Sequence, residues 1–312
     1  MKKSIVFLVL AAVLAFSCKK DDESTTTVSL YGLDFEESPL PYIAPGVTVT
    51  LKADISGLFT SDNSSPESIG IYWSVNGGQR DTLTRDAKTS NPVFTYTTTE
   101  PGKVTVTCYA FAKDYISTST SASYVVLDPQ TSLIGLKGNT VEIGGNKFYV
   151  TDIDGVTWLA SNLFGTQSGI SYYLSNVTDS ILGKYYTWEE ALSACPDGWQ
   201  LPTAQEWDAL GSDACALMVD ASLLDDPMWP YWPGVSITNE KGFNAIPAGY
   251  VDRAGGDDNV QGFLDYAIFW TASEADEEGM AQYRYIYSDK TEVQKGKGSK
   301  QSLALSVRCI KK

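Results

Sequence analysis

The fold is decided by the stretch at residues 185–210, YYTWEEALSACPDGWQLPTAQEWDAL. It contains two segments, TWEE at 187–190 and TAQE at 203–206, in which a Thr is followed three residues later by a Glu. This spacing is typical of a capping box, in which the two side chains satisfy free N–H groups at the start of a helix. The stretch therefore predicts two short helices, with a turn at 197–198, where Asp is followed by Gly.

Each predicted helix has an apolar face, because side chains three or four positions apart lie on one side of a helix. The two faces comprise Trp188, Ala191, Leu192 and Cys195, and then Trp207, Leu210, Ala214 and Leu217. We therefore expect both helices to pack on a core, with Cys215 as a buried free thiol on the second helix.

The composition excludes several classes of function. With 312 residues, 43% of them apolar, the chain is long enough for two domains with sizeable cores. Its formal net charge of −15 disfavours nucleic acid as a partner, since phosphate backbones are repelled. The chain has no histidine, which excludes Ser-His-Asp and Cys-His catalysis and His-ligated metals. Hydrolysis by a pair of carboxylates remains open.

The N-terminus predicts export and lipid anchoring. Two lysines precede an apolar run at 5–16, the pattern of a secretory signal that is short for a membrane span. The sequence LAFSC resembles a bacterial lipobox, with 1–17 as signal peptide and Cys18 as the lipidated first residue of a tether at 18–27. An ordinary signal peptide with an incidental Cys is the alternative. The acidic run at 21–23 resembles the tag that directs Bacteroidota lipoproteins to the cell surface, or is a solvated charge run.

Residues 28–128 predict an all-β sandwich, because short β-forming runs alternate with turn residues. The candidate strands are 28–35, 47–55, 69–75, 93–98, 103–112 and 122–127. Trp73 and the run that contains Cys108 resemble the core tryptophan and late strand of immunoglobulin-like or polycystic-kidney-disease-type domains. Since Ala53 stands where an early cysteine is usual, we expect Cys108 to be a buried free thiol. The expected role of this domain is that of a spacer.

Residues 129–312 predict a second domain of another kind. Hairpins are expected with turns at 144–146 and 154–155, and further strands at 269–273, 281–287 and 305–310. The motifs are, in order, DIDG (152–155), YTWEEA (186–191), CPDGWQLP (195–202), GFNAIPAGY (242–250), FWT (269–271) and SVRC (306–309). In this order they resemble the Fibrobacter succinogenes major paralogous domain. That resemblance implies an α+β, C-type-lectin-like fold with two helices, a small sheet and long loops, and a role in recognition.

A disulfide between Cys195 and Cys309 is expected. Cys195 ends the first helix on its apolar face, and Cys309 lies in an apolar run near the end of the chain. Exported chains fold in an oxidising compartment. In lectin-like folds the corresponding link joins the first helix to the last strand.

The candidate ligand-binding loop is DDPMWPYWPG at 225–234. Its candidate binding residues are Asp225, Asp226, Trp229, Tyr231 and Trp232. Prolines between the aromatic residues hold them out of a helix or a central strand. Rigid exposed rings stack on sugars or fill protein pockets. The alternative is that the rings fold back into a small core of their own.

Two acidic sets provide oxygen atoms of the kind that bind calcium. They are Asp252, Asp257 and Asp258, and then Glu274, Asp276, Glu277 and Glu278. The Glu-Pro-Asn loop and Trp-Asn-Asp strand of sugar-binding lectins are missing from the sequence, so we expect solvated loops, no metal and no cofactor. The glycines at 255–256 and at 296 and 298 are expected to lie in turns.

Together these features predict a lipid-anchored protein of the outer membrane, exposed at the cell surface. Its C-terminal domain is expected to bind a glycan or a surface protein without catalysis. A structural or adhesive subunit of a surface assembly or fimbria is the alternative, and a carboxylate-dependent glycoside hydrolase is the third candidate.

Overall fold

A computed structural model describes residues 28–85, 92–256, 258 and 260–312. The predicted signal peptide, the lipidation site Cys18 and the tether at 18–27 lie outside the described residues. Across the described ranges the chain is mostly β, with short helices in its second half. None of the helices in these ranges is long and apolar enough to cross a membrane.

The first half is a series of short strands. They are β1 (Val28–Tyr31), β2 (Asp34–Phe35), β3 (Tyr42–Ile43), β4 (Thr48–Asp54), β5 (Phe59–Thr60), β6 (Ile69–Val75), β7 (Gly78–Arg85), β8 (Val93–Thr97), β9 (Gly102–Phe111), β10 (Tyr115–Ile116) and β11 (Thr118–Val126). The main sheet has the order β3-β11-β9-β6-β7, and two smaller sheets have the orders β2-β4-β8 and β10-β1-β5. Strand β7 was not predicted, because its sequence GQRDTLTR is polar.

The first half is a β-sandwich, as predicted, with its core between the main sheet and the β2-β4-β8 sheet. Trp73 on β6 is buried, and the rings of Phe35 on β2 and Phe94 on β8 stack on it at 5.9 and 5.2 Å. Along β9 buried and half-buried residues alternate, which confirms the expected period of two. Cys108 on this strand is a buried free thiol, and burial raises its pKa to about 12.

The second half combines short helices with several small sheets. The helices are α1 (Asp179–Leu182), α2 (Trp188–Ala194) and α3 (Ala204–Asp208), with 3₁₀ turns at Tyr172–Leu174, Asn176–Thr178 and Arg253–Gly255. The strands are β12 (Leu133–Ile134), β13 (Asn139–Ile143), β14 (Asn146–Ile153), β15 (Val156–Leu159), β16 (Ser222–Leu223), β17 (Asp226–Pro227), β18 (Tyr250–Asp252), β19 (Val260–Gln261), β20 (Tyr266–Glu274), β21 (Met280–Tyr287), β22 (Gln294–Ser299), β23 (Leu303–Ala304) and β24 (Ile310–Lys311).

The sheets of this half have the orders β13-β14-β15-β24, β20-β21-β22, β19-β18-β23 and β12-β16-β17. Both predicted hairpins, β13–β14 and β14–β15, are confirmed. The predicted strand at 305–310 is wrong as a continuous element, since only its end lies in β24. The residues before that end form single bridges, Leu305 to Tyr186 and Ser306 to Phe269. Pairing of β24 with β15 brings the end of the chain back to the start of this unit.

Both capping boxes are confirmed. Thr187 and Thr203 each accept a hydrogen bond from the backbone of the Glu three residues on, and each Glu side chain reaches back to the cap. The predicted face of the first helix needs one correction, because Leu192 is 47% exposed and Ala194 is buried instead. Helix α2 ends at Ala194, before the turn at Pro196. The side chains that it buries in the core are those of Trp188, Ala191 and Ala194.

The second helix is much shorter than predicted. It ends at Asp208, and Gly211 then adopts a left-handed backbone with φ of 87°. Asp213 next accepts hydrogen bonds from the backbone N–H groups of Cys215 and Ala216, which starts a new turn. Cys215 is therefore a buried free thiol, as expected, but it does not lie on a helix.

The disulfide between Cys195 and Cys309 is confirmed, with Cα atoms 5.8 Å apart. It joins the end of α2 to the segment before β24. Beside it, Trp270 on β20 packs in one core cluster, while the adjacent Phe269 packs in a second cluster on the other face of the sheet. The β20-β21-β22 sheet therefore lies between two core clusters.

The two halves contact one another through the end of the sandwich. Leu127, just after β11, is buried in a cluster of the second half. The ring of Tyr42 on β3 lies 5.3 Å from that of Tyr172, and Ser175 Oγ donates to the Tyr42 carbonyl oxygen at 2.7 Å. These contacts place the expected boundary near residue 128 at a packed junction.

Candidate functional site

The predicted binding loop divides into a buried part and an exposed part. Trp229 is only 4% exposed and packs in the core cluster around Trp207 and Phe243. Its Nε1 donates to the Ala245 carbonyl oxygen at 3.0 Å. The expectation that Trp229 is an exposed ring is therefore wrong, because the core accommodates both its apolar surface and its single donor.

The rest of the loop lies at the surface. Tyr231 is 87% and Trp232 42% exposed. Asp225 and Asp226 are also exposed, and β17 places Asp226 at a sheet edge. These four residues remain candidates for a partner contact. The buried Trp229 ties their loop to the core.

Three side chains of the acidic sets are paired with basic side chains of the same unit. Asp258 accepts from Arg253 at 2.6 Å, and Asp252 caps the short 3₁₀ turn that follows it. In the second set, Glu274 pairs with Lys300 at 3.0 Å and Glu277 with Lys297. Asp257 lies outside the described residues, and among those described no group of acidic side chains is arranged to hold a metal ion.

A cluster of tyrosines forms the most distinctive surface of the second half. Tyr250 on β18, Tyr266 on β20, and Tyr283 and Tyr285 on β21 are all half-buried and line a hollow of about 230 Å³. Ile268 and Leu303 complete its lining. We call these four tyrosines with Ile268 and Leu303 the tyrosine face.

The rings of the tyrosine face hold one another in place. The centroid of Tyr266 lies 5.9 Å from that of Tyr250 and 6.0 Å from that of Tyr285, and Tyr283 lies 5.9 Å from Tyr285. Tyr287 lies directly opposite Tyr266 in the β20–β21 register, with the ring centroids 4.6 Å apart and the rings tilted by 40°. Aromatic pairs at these separations attract one another beyond their buried area. The face is thus pre-organised without a ligand.

Two glycines of β22 make room for this arrangement. Gly296 lies opposite Tyr283 in the register, and a Cβ atom at this position would stand 2.3 Å from the Tyr283 ring. A Cβ atom at Gly298 would stand 2.4 Å from Leu303 Cδ2. The prediction that these are turn glycines is wrong. They lie within a strand, where the missing side chains let Tyr283 and Leu303 lean across the sheet.

The hydroxyl groups of the face are available for hydrogen bonding. Tyr250 donates weakly to Gln261 Oε1 at 3.4 Å. Tyr266, Tyr283 and Tyr285 are half-buried, and each brings a phenol O–H group to the face. Burial raises the pKa of Tyr250, which the nearby Asp252 carboxylate raises further. Burial also raises the pKa of Tyr266 and of Tyr283. The hydroxyl groups of Tyr250, Tyr266 and Tyr283 are therefore protonated at neutral pH and able to donate as well as accept.

The hollow is uncharged. None of its described lining residues is Asp, Glu, Lys or Arg. It offers exposed ring surface, hydroxyl groups and an apolar floor, and it holds no arrangement of paired carboxylates. This chemistry suits binding of a neutral polar molecule with an apolar face.

Sequence reasoning missed this surface, although part of the signal was present. Tyr283, Tyr285 and Tyr287 alternate along one predicted strand, which places them on one face. Tyr250 and Tyr266 come from other elements. The bridge between Gly249 and Ala267 and the pairing of β20 with β21 bring them alongside.

Comparison with known proteins adds a family. The model of the Fibrobacter succinogenes major domain matches residues 146–311, a little over half of the chain. No curated protein matches the chain. Among solved structures, the fibronectin(III)-like modules of Clostridium thermocellum CbhA are 14% identical over 32% of this chain and 46% of that one, with a TM-score of 0.23. The adhesin InvE of Yersinia pseudotuberculosis is 11% identical over 91% of this chain and 70% of that one, with a TM-score of 0.26.

Proposed function

The chain belongs to the Fibrobacter succinogenes major domain family, and we propose that it is a non-catalytic binding protein of the cell surface that takes a neutral glycan on the tyrosine face. The observation that carries this proposal is the hollow lined by Tyr250, Tyr266, Tyr283 and Tyr285. Pyranose rings have one apolar C–H face and a rim of hydroxyls. Half-buried tyrosine rings match the first by stacking and the second through their O–H groups.

Charge favours a neutral ligand. The chain carries a formal charge of −15, which opposes the approach of acidic polysaccharides. The described lining of the hollow contains no cation to offset that repulsion. Pre-organisation favours binding as well, because rings already packed on each other lose little rotamer freedom when a ligand stacks on them.

We also propose that the second half is related to the C-type-lectin-like folds. Support comes from three features: a pair of short capped helices, a small three-stranded sheet, and the Cys195–Cys309 disulfide that links the first of these helices to the last segment. In this proposal the N-terminal sandwich is immunoglobulin-like and acts as a spacer that holds the binding unit away from the membrane.

Anchoring is proposed to occur through a lipid on Cys18, with the acidic run at 21–23 directing the protein to the outer surface. Replacing all three acidic residues by Ala retains the lipid and loses surface exposure in this proposal. Digestion of whole cells with a protease measures it. Unchanged digestion of the variant contradicts the role of the acidic run.

The glycan site is tested by affinity electrophoresis of the full chain through gels that contain neutral polysaccharides, such as a β-glucan, a mannan and a xylan. We expect Tyr285→Ala to weaken the retardation by about tenfold or more, as for a central aromatic contact. Tyr285→Phe, which keeps the ring, is expected to retain most of it. Tyr231→Ala is the matched control, because it removes an exposed tyrosine ring from the loop at 225–234, outside the tyrosine face.

Two results contradict this proposal. Wild-type protein that migrates freely through every neutral gel argues against a glycan ligand. A loss of retardation in Tyr231→Ala but not in Tyr285→Ala places the ligand on the loop at 225–234 instead.

A further inference from the structure

A second, larger cavity lies away from the tyrosine face. Its volume is about 600 Å³, and it is enclosed by the segment after the sandwich, the β13–β14 turn, α1 and the buried segment before β24. The lining includes the apolar side chains of Leu133, Phe164 and Ile246. Pockets of this size and mixed lining are the usual sites of small ligands.

The charges around this cavity have one sign. Lys147 and Arg308 line it, whereas none of the described lining residues is Asp or Glu. This is unusual in a chain with a formal charge of −15. Asp179 immediately precedes the lining residue Ser180 but does not itself line the cavity. Burial raises the pKa of its carboxyl group.

Arg308 is a fully buried cation that has no carboxylate partner among the described residues. Its Nε donates to Asn162 Oδ1 at 2.8 Å, and its Nη1 and Nη2 donate to the backbone oxygens of Leu159, Phe243 and Asn244. A guanidinium group has five N–H groups, so one N–H of Nη2 has no acceptor among the described residues. Burial lowers the pKa of Arg308 to about 9, which leaves the group charged at neutral pH.

We propose that this cavity binds a small organic carboxylate of about the size of a monosaccharide. Besides the oxygens that accept from Arg308, the ring centroids of Phe243 and Phe269 lie 4.8 and 5.4 Å from its guanidinium carbon. A buried charge without an anionic partner is still costly, and an anion beside it recovers part of that cost. Arg308 supplies the positive field from the cavity wall, and Lys147, which is exposed, meets the carboxylate at the entrance. The polar side chains of Gln130, Asn146 and Ser180 line the cavity, where they can contact the hydroxyls of such a ligand.

The test uses three probes that share one pyranose ring and differ in charge: glucuronate, glucose and glucosamine. Isothermal titration of the full chain at millimolar probe is expected to detect glucuronate and not the other two. Lys147→Glu is expected to weaken the binding of glucuronate by tenfold or more. Lys103→Glu is the control, because it makes the same change of charge on an exposed position of β9 outside the cavity.

A steric variant completes the test without disturbing Arg308, whose loss would strand several buried oxygens. Ser180 is exposed at the cavity wall. Ser180→Trp is expected to prevent glucuronate from binding while leaving the melting temperature of the protein unchanged. Tyr285→Ala is expected to bind glucuronate normally, which separates this cavity from the tyrosine face. The proposal is overturned if glucose binds as well as glucuronate, if Lys147→Glu and Lys103→Glu behave alike, or if wild-type protein binds no glucuronate. Competition by inorganic phosphate at equal strength overturns the assignment to a carboxylate.

Discussion

Replacing Trp229 by Ala is expected to destabilise the second half strongly, whereas replacing Tyr231 by Ala is not. The two rings lie two positions apart in one loop, but Trp229 is 4% exposed and Tyr231 is 87% exposed. Removing a buried Trp side chain costs about 3–5 kcal/mol, because the neighbours only partly fill the cavity. Removing a ring as exposed as Tyr231 changes the free energy of unfolding by about 0.5 kcal/mol at most.

Hydrogen bonding adds little to that difference. Trp229 Nε1 donates to the Ala245 carbonyl oxygen at 3.0 Å, but the same oxygen accepts from the Val219 N–H at 3.2 Å and keeps that bond in the variant. The cost is therefore dominated by lost packing. For a unit of this size each kcal/mol lowers the melting temperature by about 2–4 °C, so the expected shift for Trp229→Ala is about 6–20 °C.

Thermal unfolding of the full-length variants, followed by near-ultraviolet circular dichroism, measures this shift. Urea unfolding provides the free energy independently. The reasoning fails if Trp229→Ala melts within about 2 °C of the wild type. It also fails if Tyr231→Ala melts as low as Trp229→Ala. Either result would mean that Trp229 belongs to an exposed binding surface, as the loop sequence alone suggests.

Three further changes have defined outcomes. Breaking the Cys195–Cys309 bridge, which spans a sequence separation of 114, should cost about 4–5 kcal/mol by loop entropy, and urea unfolding with and without reductant measures it; equal midpoints contradict it. Gly296→Ala should cost about 1–3 kcal/mol by overpacking and reduce glycan binding, while Gly255→Ala, whose surroundings are open, should do neither. Cys18→Ala should move the protein to the soluble fraction in cell fractionation, and its retention in the membrane contradicts lipid anchoring there.

Local chemistry made much of the fold predictable. The capping boxes at 187–190 and 203–206 and the turn at 144–146 specify their structure within a few residues, and each formed as expected. The bridge of Cys195 to Cys309 was predictable because both apolar surroundings and the family resemblance pointed to it.

Features that depend on distant partners were not predictable. The sequence at Gly296 resembles a turn, and its place in a strand follows from the Tyr283 ring on the neighbouring strand. The apolar residues after Asp208 continue a helical spacing, but Gly211 and the side chain of Asp213 redirect the backbone.

The candidate site was likewise predictable only in part. Proline spacing in the loop at 225–234 indicated a rigid aromatic segment, yet it carried no information on which ring the core would accept. Alternation placed Tyr283 and Tyr285 on one side of a strand, whereas the hollow on that side also requires Tyr250 of β18 and Leu303 of β23. Exposure is a property of the packed molecule, so the tyrosine face emerged only from the structure.

The most direct test of glycan binding is hydroxyl-radical footprinting of the full chain with and without the neutral polysaccharide that retards it most. The tyrosine face predicts protection of Tyr250 and Tyr285 by the ligand, with Tyr231 oxidised equally in both samples. Protection of Tyr231 with Tyr250 and Tyr285 unchanged contradicts the assignment of the binding site to the tyrosine face.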